Sequence, residues 1–217
     1  MDPEINQRIT SASKSFNIMT ARIWTSRALE PNARLQLYNA LVINTLLYAC
    51  ETWTITEQQL QRLEVFHNRC LRRLKGVSML DHVSTEQLHA MAPATVPIAV
   101  WIRRAQLRWL GHLVRRADDY PPKCVLFAHY MHHAGRRPRG RPPACQQQNL
   151  DRLMKELERP GGAIHRVVDV ALKFGVIFKD LQGRTLQHRR QISWANVAMN
   201  RVLWSRVVEL GAMLSQV

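Results

Sequence analysis

Three groups of side chains in this sequence have types and spacings that suit chemistry. Asp118 and Asp119 are adjacent carboxylates, the kind of pair that holds two metal ions against a primer end and an incoming nucleotide. They follow Ala117 where a helical pattern ends, and no strand flanks them, so they read as a solvated loop. Cys124, His129, His132, His133 and Cys145 gather thiol and imidazole groups that suit zinc. Structural zinc sites use two close ligand pairs at regular spacing, and the gaps 124–129 and 133–145 fit no common pattern, so zinc is not expected. The third group is Arg136, Arg137, Arg139 and Arg141 in Gly-Arg-Arg-Pro-Arg-Gly-Arg-Pro-Pro. Its Pro138-Arg139-Gly140-Arg141-Pro142 core matches an AT-hook, in which two arginines lie along a narrow minor groove and the glycine lets the backbone approach. The same residues make a sequence-indifferent phosphate grip, which is the favoured reading. No Ser/His/Asp or Cys/His pairing and no phosphate-cradling glycine motif stands out.

The arginines belong to a wider pattern. Residues 101–141 hold ten of the chain's 31 basic residues against two acids, interleaved with Trp101, Trp109, Leu110 and Leu113. This is a folded surface suited to a polyanion. The chain's net charge of +15 and pI near 10.8 point to nucleic acid or an anionic membrane surface. The longest nearly apolar run, residues 37–50, is interrupted by Asn39, Asn44 and Thr45 and is too short to span a bilayer. Asp2 and Glu4 precede any apolar segment, and no secretory signal is visible, so an intracellular protein with four reduced cysteines is expected.

A hydrophobic fraction of 46% over 217 residues predicts a real core. Nearly every periodic segment has helical spacing, so the expected fold class is all-α. Residues 5–24 form a first helix, and Pro31 opens a second through Leu35, Leu41, Val42 and Leu46. Thr56 and Gln59 make a capping box. The helix they start buries Leu60, Leu63, His67, Cys70, Leu71 and Leu74 and stops at Gly76. Arg62, Arg69 and Arg73, at i, i+7 and i+11, border that face. Ser84 and Gln87 cap a short helix ending before Pro93. In residues 98–116, Ile98, Ile102, Ala105, Trp109 and Leu113 form the expected buried stripe, while Arg104, Arg108 and Arg115 share another face. Pro121-Pro122 and the 135–143 run punctuate the chain. Helices resume over 146–158 and 194–214. Trp53, Trp101, Trp109, Trp204 and Tyr48 are expected mostly in the core.

Several phrases in fixed order carry a family resemblance. They begin with Glu4-Ile5 and Arg8-Ile9, then Leu37-Tyr38, Leu46-Leu47-Tyr48 and Glu51-Thr52-Trp53. Arg62-Leu63-Glu64-Val65-Phe66-His67, Arg69-Cys70-Leu71-Arg72-Arg73-Leu74-Lys75-Gly76 and Asp81-His82-Val83-Ser84 follow. Arg108-Trp109-Leu110-Gly111-His112, Asp118-Asp119, Pro121-Pro122-Lys123 and the arginine-rich loop come next. Spaced Trp194, Ala198, Arg201 and Trp204 close the series. Together they resemble the region after the palm in reverse transcriptases of LINE-type (non-LTR) retrotransposons. The sequence departs from that pattern after the loop, where Cys145-Gln146-Gln147 replace a usual tryptophan, and residues 161–192 carry no matching phrase.

The resemblance implies a helical thumb-like bundle over residues 1–80, a basic helix and arginine-rich loop over 81–143, and a smaller helical C-terminal subdomain over 144–217. It implies a non-catalytic fragment that binds template–primer, element RNA or target DNA through Arg62, Arg69, Arg73, Arg104, Arg108, Arg115, Arg136, Arg137, Arg139 and Arg141. Mg²⁺ would sit in palm carboxylates that this sequence does not show, because the family's box pairs Ala-Asp-Asp with an aromatic residue where Arg116 stands here. The expected location is an intracellular ribonucleoprotein of nucleus and cytoplasm. The alternatives are a free-standing helical DNA-binding module recruited by its host, and a non-functional relic.

Overall fold

The computed structural model describes residues 2–24, 26, 28–128, 146–173, 176–179, 185–186 and 192–213. They are helical almost throughout, so the chain is all-α. The described strands are a two-residue antiparallel pair, Phe178–Lys179 with Thr185–Leu186. The residues cluster into two compact units, Met1–Ile102 and Arg103–Val217.

In the first unit, α1 (Asp2–Met19) runs into a π-helical turn, Thr20–Trp24. The turn carries Trp24 back over the helix, where its Nε1 donates to the Phe16 carbonyl (2.8 Å) and its ring stacks on Phe16 at 5.4 Å. Pro31 begins α2 (Pro31–Tyr38), where a missing N–H costs nothing. The helical path continues through a π-turn, Asn39–Ile43, into α3 (Asn44–Leu46).

The long helix α4 (Glu57–Lys75) has both halves of its Thr56/Gln59 capping box and ends on Gly76, whose φ of 66° favours a residue without Cβ. It buries Gln59, Leu63, Phe66, His67, Cys70, Leu71 and Leu74. Leu60 stays half-buried. The short helix α5 (Thr85–Ala90) is capped by Ser84 and Gln87 as expected. Next comes α6 (Ile98–Val114). Its start is fastened to α4 by Glu64, whose carboxylate accepts from the Ala99 amide (3.1 Å), at a helix end that favours negative charge.

The second unit contains the remainder of α6, α7 (Pro121–Ala128), α8 (Gln146–Glu158), α9 (Ala163–Lys173), α10 (Trp194–Met199) and α11 (Arg201–Met213). One of these revises the sequence expectation, and another lies where the sequence reading assigned no element. Pro121-Pro122 opens a helix instead of only breaking the chain. A strongly amphipathic helix that buries Ala163, Ile164, Val167, Val168 and Ala171 occupies part of residues 161–192. The helix expected over 194–214 is split, because the Asn200 side chain accepts from the amides of Val202 and Leu203 (3.1 and 3.2 Å) and caps α11.

The buried stripe of α6 also differs from expectation. Leu107, Leu110 and Leu113 are buried, while Ala105 and Trp109 are half-buried. The cause is Trp204 of α11. Its indole lies against Gly111, where any Cβ would clash with the ring, and its Nε1 donates to the Leu107 carbonyl at 2.8 Å. That contact selects which side of α6 faces the core.

Candidate nucleic-acid interface

Along α4, Arg62, Arg69 and Arg73 are exposed on one side of the helix, as their spacing predicts. Helix α1 runs beside this row in the same direction. Arg62 bonds to Asp2 (3.2 Å) and to the Asn6 side chain near the start of α1. Arg73 reaches Asn17 (3.2 Å) near its end and lies over the Phe16 ring, 5.1 Å from its centre. Arg69, between them, has no hydrogen bond or ion pair among the described residues. The Arg62–Asp2 pair is solvent-exposed, so it holds the side chain only weakly against a competing phosphate.

Between the two helices lies an open groove of about 340 Å³ lined by Ile9, Gln61, Arg62, Val65, Phe66 and Arg69. Gln61 and Val65 were not singled out from the sequence. The available signal was their position within a turn of Arg62 on the same exposed side of α4.

The second basic group sits on α6, where the three expected arginines differ. Arg108 is exposed, and no partner is present among the described residues. Arg104 is half-buried, with its Nε unpartnered there. Arg115 is half-buried and donates from Nη1 to the Ala198 carbonyl at 2.7 Å, which ties α6 to the end of α10. Burial first, then the like charge of Arg201, lowers its pKa. Arg103 pairs with Glu156. Lys123 donates to the carbonyls of Val114 (3.3 Å) and Arg116 (2.9 Å) and to Asp118 (2.7 Å), closing the C-terminal end of α6.

That last contact bears on the adjacent carboxylates. Asp118 lies in the exposed turn after α6, and its pKa is lowered by the Lys123 hydrogen bond and charge. Asp119 is exposed beside it. Among the described residues no cluster of three or more His, Cys, Asp or Glu is arranged for a metal ion. Cys124 donates its thiol to the Asp118 carbonyl at 3.0 Å. His129, His132, His133, Cys145 and all four loop arginines, Arg136, Arg137, Arg139 and Arg141, lie outside the described residues.

The aromatic residues divide. Trp53 and Trp204 are buried, as expected, and Trp101 and Trp109 are half-buried. Tyr48 is a correction: it is 65% exposed, with the Arg8 guanidinium 4.7 Å from its ring centre and Arg8 in turn held by Glu4 at 2.7 Å. The ion-paired Arg8 stacks on the ring where the sequence suggested core packing.

Among the described residues no helix is long and apolar enough to cross a membrane. No protein-family model matches this chain, and no solved structure matches it. It is 27% identical over 120 residues to an uncharacterized transposon-derived protein of Caenorhabditis elegans. The matched stretch is 54% of this chain and 42% of that protein, less than half the relative's length. The similarity supports a transposon-related origin for the chain.

Proposed function

We propose that this chain is the thumb and post-thumb region of a LINE-type retrotransposon reverse transcriptase. It grips nucleic acid, and the polymerisation chemistry belongs to palm carboxylates elsewhere. The observation that carries this reading is the row of exposed arginines on α4, Arg62, Arg69 and Arg73, beside a helix that leaves Arg69 uncommitted among the described residues. A transposon-derived relative and the ordered phrases around those arginines support it. Positive charge spaced along a helix follows phosphates and gives affinity without sequence choice, which suits a clamp that travels over whatever is copied. The bound species are template–primer duplex, element RNA or target DNA, in a ribonucleoprotein of nucleus and cytoplasm.

Binding to an RNA–DNA hybrid duplex is expected to be tight at 50 mM salt and to fall steeply by 200 mM, as phosphate contacts release counterions. Replacing Arg69 and Arg108 together with alanine should reduce the slope of log affinity against log salt by about two and leave helix content unchanged. An affinity insensitive to salt, or a slope unmoved by the double substitution, would refute the arginine clamp.

The loop arginines test the other reading. Arg139→Ala with Arg141→Ala is expected to weaken A·T-rich and G·C-rich duplexes equally. A selective loss on A·T-rich DNA, by about 1–3 kcal/mol, would instead mark a minor-groove hook and favour a free-standing DNA-binding module.

A further inference from the structure

Resting on the nucleic-acid reading above, we propose that the groove between α1 and α4 seats an unpaired nucleobase of a single strand, with Arg62 and Arg69 holding the phosphates on either side. The groove combines two chemistries that occur together in a nucleotide. Its floor is apolar: Ile9 from α1, with Phe66 and a 52% exposed Val65 from α4. Its rim is cationic, with Arg62 and Arg69 seven residues apart, or roughly 10 Å along the helix axis. Among the described residues, Asp2 is the carboxylate paired with that rim, through its exposed contact with Arg62. No partner among the described residues competes for Arg69. Gln61 on the lip carries one amide donor group and one acceptor, as the edge of a base requires.

Each feature selects against other occupants. A base inside a duplex keeps its faces stacked on neighbours, so it gains nothing from Val65 and Phe66. An unpaired base exposes a flat apolar face that gains by covering them, as bases do on the side chains of single-strand-binding proteins. An apolar peptide side chain would fill the floor and leave the Arg69 guanidinium facing it without an anion, while Arg62 would keep only its exposed pair with Asp2. The volume, about 340 Å³, lies at the small end of ligand sites. One base fits that scale.

The test uses the full chain and three probes at one ionic strength: a 20-residue oligothymidylate, an abasic oligomer with the same phosphates, and a blunt duplex. Oligothymidylate is expected to bind roughly tenfold tighter than the abasic strand, the scale of one stacked base. Val65→Asn, a neutral change at an exposed position, should remove most of that advantage and leave abasic-strand and duplex affinities within about twofold. Equal binding of oligothymidylate and abasic strand by the unaltered chain would overturn the groove proposal. An advantage that survives Val65→Asn would overturn it too. If duplex binding persists in either case, the nucleic-acid reading stands without the groove. Failure to bind any of the three probes would remove both.

Discussion

Trp204→Ala is expected to destabilise the second unit by about 3–5 kcal/mol, the usual cost of emptying a buried aromatic site. Trp204 is 2% exposed, donates from Nε1 to the Leu107 carbonyl, and packs where Gly111 leaves room. Removing the ring leaves a cavity next to Leu107 and Gly111 and takes away a buried partner of the Leu107 carbonyl. Gly111→Ala should also destabilise, because its Cβ would enter the indole and α6 and α11 would have to separate. The informative measurement is the pair. With the ring gone, the added methyl has space, so Gly111→Ala should cost far less in the Trp204→Ala background than alone. Urea unfolding of the four proteins, with hydrogen exchange over residues 103–213 to locate the change, provides the comparison. Additive costs would mean that the Trp204–Gly111 contact does not set the packing of these helices.

That contact also marks the limit of what could be read from the sequence. Thr56 with Gln59, Ser84 with Gln87 and the stop at Gly76 were legible because each motif is satisfied within a few residues of itself. The choice of buried face on α6 was not. Leu107, Leu110, Trp109 and Leu113 supply apolar positions on more than one side, and the partner that selects among them lies 97 residues away from Leu107. The sequence stripe therefore placed Trp109 at the centre, where the structure has Leu110. Helix α7 was missed for the opposite reason: Pro121-Pro122 looks like an interruption until the first-turn position is recognised, where proline is tolerated.

The candidate interface divides along similar lines. The row of Arg62, Arg69 and Arg73 follows from helical spacing alone, whereas the differing commitments of its members depend on α1, which brings Asp2, Asn6 and Asn17 alongside. Arg115 has the same spacing logic on α6, yet spends one N–H on the Ala198 carbonyl, a partner no local pattern reveals. Tyr48 was misread because an exposed aromatic with an arginine stacked on it has the same one-dimensional signature as a core residue.

The first unit should lose stability as pH falls below about 6.5, at a rate near 1.4 kcal/mol per pH unit. The source is His67, fully buried in α4, with its Nδ1 2.8 Å from the Tyr38 hydroxyl and its Nε2 without a partner among the described residues. Burial, reinforced by the charge of His89 nearby, pushes its pKa down to about 3. An unfolded chain takes up this proton near pH 6.5 and the folded chain resists until about 3, so stability is full above the first value and drains away between the two. From pH 6.5 to 4.5 the expected loss is about 2–3 kcal/mol, read by urea unfolding. The neighbours fix the other contributions. Half-buried His89, whose pKa burial also lowers, acts with His67 in the same direction. Glu64, whose pKa burial raises, acts against it, since a buried carboxylate is relieved by protonation. His67→Leu keeps a similar volume but takes away the His67 partner of the buried Tyr38 hydroxyl, so the variant should start from a lower stability at neutral pH while its pH slope flattens. An identical slope in the variant would move the acid sensitivity away from His67.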